Sequence, residues 1–381
     1  MVLLAECGLV REEVAVDFVK GPGRGIEAGK RLNDQLIADL DQLIARQDGD
    51  GIEIRGSLQC PYYIVKGLAD LLGESFAGPD RVNVIQAATG GGFGGKEEYP
   101  SMIAAHAALL ALKTSRPVKI IYRRDEDLLA TTKRHPCRVR IRTRVGEEGR
   151  LLSFEADVLV DGGAYNTLTP VVLSRAVLHA TGPYSCEHVR ILGRAVATHT
   201  PPNGAFRGFG APQVQFACER HMDRIARTLG LDPTELRRRN LFREGDHTAT
   251  GQRLVDPGAD VVLDAALDAA ASPLAEKIAR PPGAGDGVAR LARGRGVSLV
   301  FHGCGFTGNG EAALKGKVGL VLEGRTITVL TASTDIGQGT DTIFTQIVAE
   351  ELEIPLSSVV VAPHDTGEVP DSGPTVASRT A

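Results

Sequence analysis

Nine residues, Thr89-Gly90-Gly91-Gly92-Phe93-Gly94-Gly95-Lys96-Glu97, carry the strongest chemical signal in this chain. Glycine has no Cβ and tolerates positive φ, so five glycines around one phenylalanine let bare backbone approach something large. The loop lies between an apolar strand and an alanine-rich helix. Its amides therefore stand at the positive end of a helix dipole, where anions bind. This predicts an anionic or phosphate-bearing ligand. The plainer alternative is a tight strand-to-helix turn.

Two well-known patterns overlap in this loop. Gly90-x-Gly92-x-x-Gly95 reads as a dinucleotide fingerprint, with 117–122 as the next parallel strand and Arg123-Arg124 facing a 2′-phosphate. Gly90 to Lys96 also fits a nucleotide P-loop, but Glu97 stands where Ser or Thr must hold Mg²⁺. A carboxylate there repels phosphate. The dinucleotide reading fails downstream: 138–145 and 151–160 alternate as two long strands around Gly146-Glu147-Glu148-Gly149, an antiparallel hairpin where a parallel fold needs strand–helix–strand.

Three further segments repeat the theme of glycine beside one functional group. Pro201-Pro202-Asn203-Gly204-Ala205-Phe206-Arg207-Gly208-Phe209-Gly210 ends at a helix start and offers Arg207 to a phosphate or oxo group, unless it is an ordinary surface arginine. Asp335-Ile336-Gly337-Gln338-Gly339-Thr340 sets a donor and acceptor amide, Gln338, between two glycines. Ser372-Gly373-Pro374-Thr375-Val376-Ala377-Ser378 is a run of small residues and hydroxyls that suits a flat ligand, and by itself is only a turn.

The elements that must position these loops are legible in part. Helices are expected over 61–72, with Pro61 in its first turn and Gly73 after it, and over 98–113, 211–229 and 340–352. Another starts at Asp232-Pro233-Thr234-Glu235. Strands are expected at 52–54, 81–88, 117–122, 189–197 and 359–361, with a second hairpin, 318–322 and 326–331, around Glu323-Gly324-Arg325. A helix over 34–46 is read from Leu36, Ile37, Leu40, Leu43 and Ile44 at helical spacing. Residues 271–296, rich in Pro and Gly, read as a linker or domain crossing. The fold class is α+β, antiparallel hairpins with packed helices, and not a Rossmann fold.

The 381 residues suffice for two or three domains, and a net charge of −4 argues against nucleic acid as the main partner. No apolar run reaches membrane-spanning length and no signal peptide is evident, so a cytoplasmic location is expected. The six cysteines form no CxxC pair, so spacing indicates neither zinc nor an iron–sulfur cluster. His135 and His302 stand alone and read as structural.

Taken in order, Gly56-Ser57-Leu58-Gln59-Cys60-Pro61, GGGFGGKE, AFRGFG, DIGQG and SGPTVAS resemble the molybdenum-binding subunit of the xanthine dehydrogenase/aldehyde oxidase family, from about residue 51 to 381. The resemblance implies a molybdenum–molybdopterin cofactor, often the cytosine dinucleotide form, with the metal held by the pterin dithiolene and by no protein side chain. It implies hydroxylation of an electron-poor carbon of an aldehyde or N-heterocycle with oxygen from water. Carried over by motif, Gln59 stands by an oxo ligand, Phe93 and Gly94 cover the metal, Arg207 and Ala377 lie near it, Gln338 contacts the pterin, and Gly92 joins them in binding the cofactor. Glu97 and Arg175 are matched to the pair that grips a purine, and Phe209 to a stacking ring. Together these favour a purine-like substrate over a plain aldehyde. The bland alternative is that Glu97 and Arg175 pair with each other or with local backbone. Phe301 and Phe306 are candidates for a further ring wall.

The resemblance further implies 51–270 as a first molybdopterin-binding domain and 297–381 as the start of a second, cut short, with 1–50 a divergent N-terminal segment. A [2Fe–2S] subunit and an FAD subunit are expected to carry electrons away, in a dimer of heterotrimers. The family's general-base glutamate lies in a Gly-Glu motif beyond Ala381, so no glutamate here is given that role and the chain alone is expected to turn over little. Rival readings are an aldehyde-oxidising or carbon monoxide dehydrogenase-type relative, and a non-catalytic fragment.

Overall fold

The computed structural model describes residues 9–12, 42–271, 296–306, 314 and 316–380. In chain order the strands are β1 (Leu9–Glu12), β2 (Gln42–Asp48), β3 (Gly51–Gly56), β4 (Val82–Gln86), β5 (Val118–Ile121), β6 (Lys133–Arg134), β7 (Cys137–Val145), β8 (Leu151–Gly163), β9 (His188–Ala197), β10 (Asn203–Gly204), β11 (Gly319–Glu323), β12 (Thr326–Leu330) and β13 (Val359–Val361). The helices are α1 (Pro61–Leu72), α2 (Pro100–Thr114), α3 (Arg124–Ala130), α4 (Thr169–His179), α5 (Ala211–Leu229), α6 (Pro233–Asn240), α7 (Ala259–Ala270) and α8 (Thr340–Glu351).

The first sheet has the order β4-β3-β2-β5, with β3 and β4 parallel and β2 antiparallel to both neighbours. Helices α1 and α2 cover its apolar side. Ala104, Ala107, Ala108 and Ala111 are fully buried on one face of α2, and these small side chains let the helix lie close on Leu43, Ala45, Ile52 and Ile54. Pro61 starts α1, where a missing N–H costs nothing, and Gly73 leaves it at φ 92°.

The helix expected over 34–46 is corrected by this sheet. Residues 42–46 belong to β2; the earlier part of that range lies outside the described residues. Leu43 and Ala45 alternate inward, and hydrogen-bonded strands flank β2 on both sides. That pairing overrides an apolar spacing that also fits a helix. The dinucleotide alternative fails here too: β5 pairs antiparallel with β2 and never meets β4.

The second sheet, β1-β7-β8-β9, is built on the expected hairpin. β7 alternates buried and exposed residues along its whole length. Val139, Ile141, Phe154 and Val158 meet Val214, Cys218, Met222 and Ile225 of α5, forming the largest core. A third sheet, β11-β12-β13, packs Val329 and Val359 against Ala349 of α8. Residues 272–295, nearly all of the expected linker, lie outside the described residues.

The C-terminal part docks on β4. The amide of Gln86 donates to the His364 carbonyl at 3.0 Å, and that of Thr366 to the Val84 carbonyl at 3.0 Å. The Gln86 side chain bridges Leu58 and Asp335, and the Tyr62 hydroxyl donates to the Val369 carbonyl at 2.7 Å. These bonds bring loops from widely separated parts of the chain to one place.

Candidate functional site

That place is a cleft of about 540 Å³, walled by the 90–97, 205–209, 336–338 and 375–380 loops with Gln59 and His302. Gln59, Gly92, Phe93, Gly94, Glu97, Arg207, Phe209, Gln338 and Ala377 all stand on the wall; Arg175 does not.

Gln59 sits between β3 and α1 and ties the loops together. Its amide N–H donates to the Lys96 carbonyl at 3.0 Å, its carbonyl accepts from the Thr334 hydroxyl at 2.9 Å, and its side-chain Nε2 donates to the Thr375 carbonyl at 2.7 Å. With Nε2 so engaged, Oε1 is buried without a partner. A Cβ on Gly92 would stand 2.7 Å from this oxygen. Glycine there keeps the approach to Gln59 open. A buried acceptor without a partner is expensive, so Oε1 calls for a hydroxyl or N–H donor from an occupant of the cleft.

Backbone strain gathers at the same spot. Phe93 at φ 51°, Ala377 at φ 58° and Ser378 at φ 53° are non-glycine residues in the left-handed region. Each such residue costs about 1–3 kcal/mol and persists where the surroundings over-determine it. Phe93 is also 64% exposed, a large ring laid over the cleft. Its carbonyl accepts from the Arg207 amide at 2.9 Å, joining two loops. Gly94, at φ 95°, packs so closely that a Cβ would lie 2.2 Å from the Ala205 carbonyl oxygen. The Arg207 side chain is exposed, and among the described residues it makes no hydrogen bond or ion pair. Gln338 uses its amide within its own loop: Oε1 accepts from the Ile336 amide at 2.7 Å, and Nε2 donates to the Thr334 carbonyl and the Thr340 hydroxyl.

Glu97 is buried at the foot of the cleft, and desolvation, with the neighbouring Glu98 carboxylate second, lifts its pKa to about 8. Burial raises Glu98 to about 7, opposed by a hydrogen bond from Thr167. At neutral pH the Glu97 carboxyl is therefore largely protonated, a donor rather than an anion.

Arg175 projects from α4, a helix that the sequence patterns do not reveal. Its Nη1 donates to the Gly303 carbonyl at 2.7 Å, its Nη2 donates to the Gly305 carbonyl, and its guanidinium lies 4.4 Å from the Phe209 ring centre. Arg175 and Glu97 form no ion pair with each other. His302, read from the sequence as structural, faces the cleft. Its ring stacks on His179 at 5.3 Å and meets Phe209 edge-on at 6.1 Å. Phe301 packs on His179 and Phe242, and neither it nor Phe306 stands on the cleft wall. His135 shares a hydrogen bond with the Thr169 hydroxyl, buried elsewhere. No sequence signal short of the three-dimensional contact singles out His302.

Among the described residues no group of three or more His, Cys, Asp and Glu side chains is placed to hold a metal ion. The donor set of the cleft is instead bare loop amides, one orphaned amide oxygen and one exposed guanidinium. That set fits a large organic ligand with N–H donors and anionic groups, as a pterin phosphate has. No helix among the described residues is long and apolar enough to cross a membrane.

Comparison with known proteins agrees with this geometry. Residues 35–241 match one molybdopterin cofactor-binding domain family, and 268–381 match a second. One component of a probable xanthine dehydrogenase from Bacillus subtilis is 38% identical over 79% of this chain and 39% of that protein. The nicotinate dehydrogenase large molybdopterin subunit of Eubacterium barkeri is 38% identical over 58% of this chain and 51% of its own length. Among solved structures, the aldehyde oxidoreductase of Desulfovibrio gigas superposes with a TM-score of 0.75 at 29% identity, covering 89% of this chain and 36% of that one. The chain thus spans between just over one third and one half of these relatives.

Proposed function

The chain belongs to the molybdopterin-binding family of the xanthine dehydrogenase and aldehyde oxidase enzymes, and we propose that it serves in hydroxylating an electron-poor carbon of a purine-like N-heterocycle. Bound in the cleft, the molybdopterin would supply a metal centre that exchanges oxygen and two electrons with the substrate carbon. The amides of Gly90 to Gly92 and the Arg207 guanidinium would hold the anionic groups of the cofactor. Gln59, whose free Oε1 would accept from a pterin N–H, is the most direct probe of that contact. Gln338 would keep its loop in shape for it, and Phe93, Gly94 and Ala377 would wall the metal end. Glu97, protonated at neutral pH, would donate to a ring nitrogen or carbonyl oxygen and so stabilise negative charge as it develops on the heterocycle. Phe209 would offer a face to the ring.

The observation that carries this reading is the convergence of strained and glycine-opened loops on one unpartnered buried amide oxygen. An aldehyde substrate is the second reading, favoured by the likeness to the Desulfovibrio gigas enzyme. The buried carboxyl of Glu97 favours the heterocycle, since a plain aldehyde has no second polar edge to meet it. The same proposal includes a cytosine dinucleotide form of the cofactor, [2Fe–2S] and FAD partner subunits in a dimer of heterotrimers, and a cytoplasmic location. The test is expression with the partner subunits, followed by turnover of purines, pyridines and aldehydes with a dye acceptor. Purine turnover that falls at least tenfold in Glu97→Ala, with molybdenum retained, is expected. Aldehyde turnover alone, indifferent to Glu97, would overturn it.

A further inference from the structure

Resting on the proposed function, we propose that His364 is a positioning residue: as an imidazolium it clamps the first turn of α8, and so keeps the Gln338 side of the cleft in shape for the cofactor until rising pH releases it. His364 stands behind the cleft and not on its wall. It is 7% exposed and lies where four parts of the chain meet. Its carbonyl accepts from the Gln86 amide of β4 at 3.0 Å. Its ring faces the Thr331 carbonyl at the end of β12, the Asp335 amide in the loop before α8, and Asp341 in the first turn of α8.

The two ring nitrogens decide the charge. Nδ1 lies 2.9 Å from the Thr331 carbonyl oxygen. A carbonyl only accepts, so Nδ1 carries a proton. Nε2 lies 3.2 Å from Asp341 Oδ1 and 3.3 Å from the Asp335 amide nitrogen. In a neutral ring Nε2 is a bare acceptor. It takes the Asp335 amide, and its lone pair then confronts a carboxylate oxygen. Asp341 Oδ1 is enclosed, and among the described residues it has no donor unless Nε2 supplies one. A buried carboxylate oxygen left without a donor is costly. A second proton on Nε2 removes both faults. It donates to Oδ1 in a charge-assisted bond, roughly twice as strong as a neutral one. What is given up is an amide bond of 3.3 Å, longer than the usual roughly 2.9 Å. The charged ring is therefore the favoured form.

The surroundings act in the same direction. Burial alone would lower the His364 pKa, but the hydrogen bonds to Asp341 and Thr331 and the charges of Asp341 and Asp335 outweigh it and raise the value above 6.5. Gln86 of β4 and Thr331 do not titrate, and Asp365, next in the chain, accepts from the Gly367 amide at 2.9 Å. With a raised pKa the clamp is fully present below pH 6.5 and is lost as pH rises through the folded value. Its loss reaches the cleft through a short path. Asp335 accepts from the Gly337 amide at 2.7 Å and from the Asp341 amide at 3.3 Å, and its carbonyl accepts from the Gln86 side chain at 2.8 Å. Asp341 closes the helix end of this loop, three residues from Gln338 on the cleft wall. Losing the imidazolium loosens that end.

The test uses the enzyme assembled with its partner subunits at pH 6 and pH 8.5. Two quantities are read: amide hydrogen-exchange protection over 335–341, corrected for the intrinsic rate at each pH, and the rate of pterin loss in mild urea. Wild-type protection should be at least about threefold higher at pH 6, and pterin loss at least about threefold slower. Glu97 titrates in the same range, so variants isolate His364. His364→Gln and Asp341→Asn should each hold protection at the wild-type pH 8.5 level at both pH values and speed pterin loss at pH 6. The double variant should be no worse than either single one. Equal wild-type protection at both pH values would overturn the proposal, as would a pH dependence over 335–341 that persists in His364→Gln. Protection lost in His364→Gln with wild-type pterin loss at pH 6 would overturn the positioning role. Should His364→Gln fail to fold, Asp341→Asn decides by the same criteria. A wild-type enzyme that never holds pterin would remove the proposed function and the cofactor role of this clamp, while the exchange data would still decide whether His364 holds α8.

Discussion

Replacing Gly94 by alanine tests whether the glycine loop and the arginine loop must touch for the cleft to hold its ligand. The new methyl would lie 2.2 Å from the Ala205 carbonyl oxygen and 2.7 Å from the Phe206 Cα, both backbone atoms that no rotamer change can clear. Alanine would also have to adopt φ 95°, or the loop would have to abandon it. Left-handed strain, forced separation of two packed backbones, and loss of the Arg207-to-Phe93 hydrogen bond together cost about 3–6 kcal/mol. If separating the loops relieves that cost, a ligand that needs both loops binds more than about a hundredfold more weakly. Gly92→Ala is the matched control. Its methyl would meet only side-chain atoms, Gln59 Oε1 at 2.7 Å and Ile336 Cδ1 at 3.1 Å, at no positive φ. It should leave the melting temperature nearly unchanged while obstructing Gln59. The assay is pterin content after purification, by fluorescence of the oxidised pterin, beside a melting curve. Gly94→Ala should lose pterin and melt several degrees lower; Gly92→Ala should lose pterin alone. A Gly94→Ala protein with wild-type pterin and wild-type melting would show that the contact between the two loops is dispensable.

Other perturbations follow from the same packing. Glu97 binds a proton up to pH about 8 in the fold but only to about 4.5 ordinarily, so its burial lowers stability progressively as pH rises between those values. Glu97→Gln should therefore raise the melting temperature at pH 8 and change it little at pH 4, as read by calorimetry. Arg237 is 0% exposed and held by Glu219 at 2.9 Å and Asp223 at 2.8 Å. Glu219→Ala leaves Asp223 as the remaining counter-charge of the buried Arg237, removes the acceptor of the Tyr184 hydroxyl and the Leu299 amide, and should cost about 3–5 kcal/mol in urea unfolding, a larger loss than Glu219→Gln. On the alanine face of α2, Ala107→Leu should push helix from sheet at a cost of about 1–3 kcal/mol, measured the same way.

Where local chemistry decides structure, the sequence is readable. Pro61 in the first turn and Gly73 after the last delimit α1 as expected, and α5 takes its expected bounds, with Pro212 in its first turn and Gly230 after its last. The alternation over 138–145 marks β7, and the four glycine-bearing loops do meet at one cleft. Where tertiary contact decides, it is not readable. β2 is a strand because β3 and β5 flank it. α4 lacks a side-chain N-cap, and its buried stripe is only Val172, Arg175, Ala176 and His179 behind Thr169. The partners of Arg175 are 128 and 130 residues away in the chain, so no local pattern could indicate that it turns from the cleft or that His302 faces it.

Whether these loops enclose one molybdopterin is decided by the molybdenum and pterin content of the protein purified with its redox subunits, set beside a Gln59→Ala variant. Equimolar metal and pterin are expected in the wild type, with a clear loss of both in the variant. Wild-type protein that folds and assembles with its partners yet contains neither would rule out a molybdopterin in this cleft.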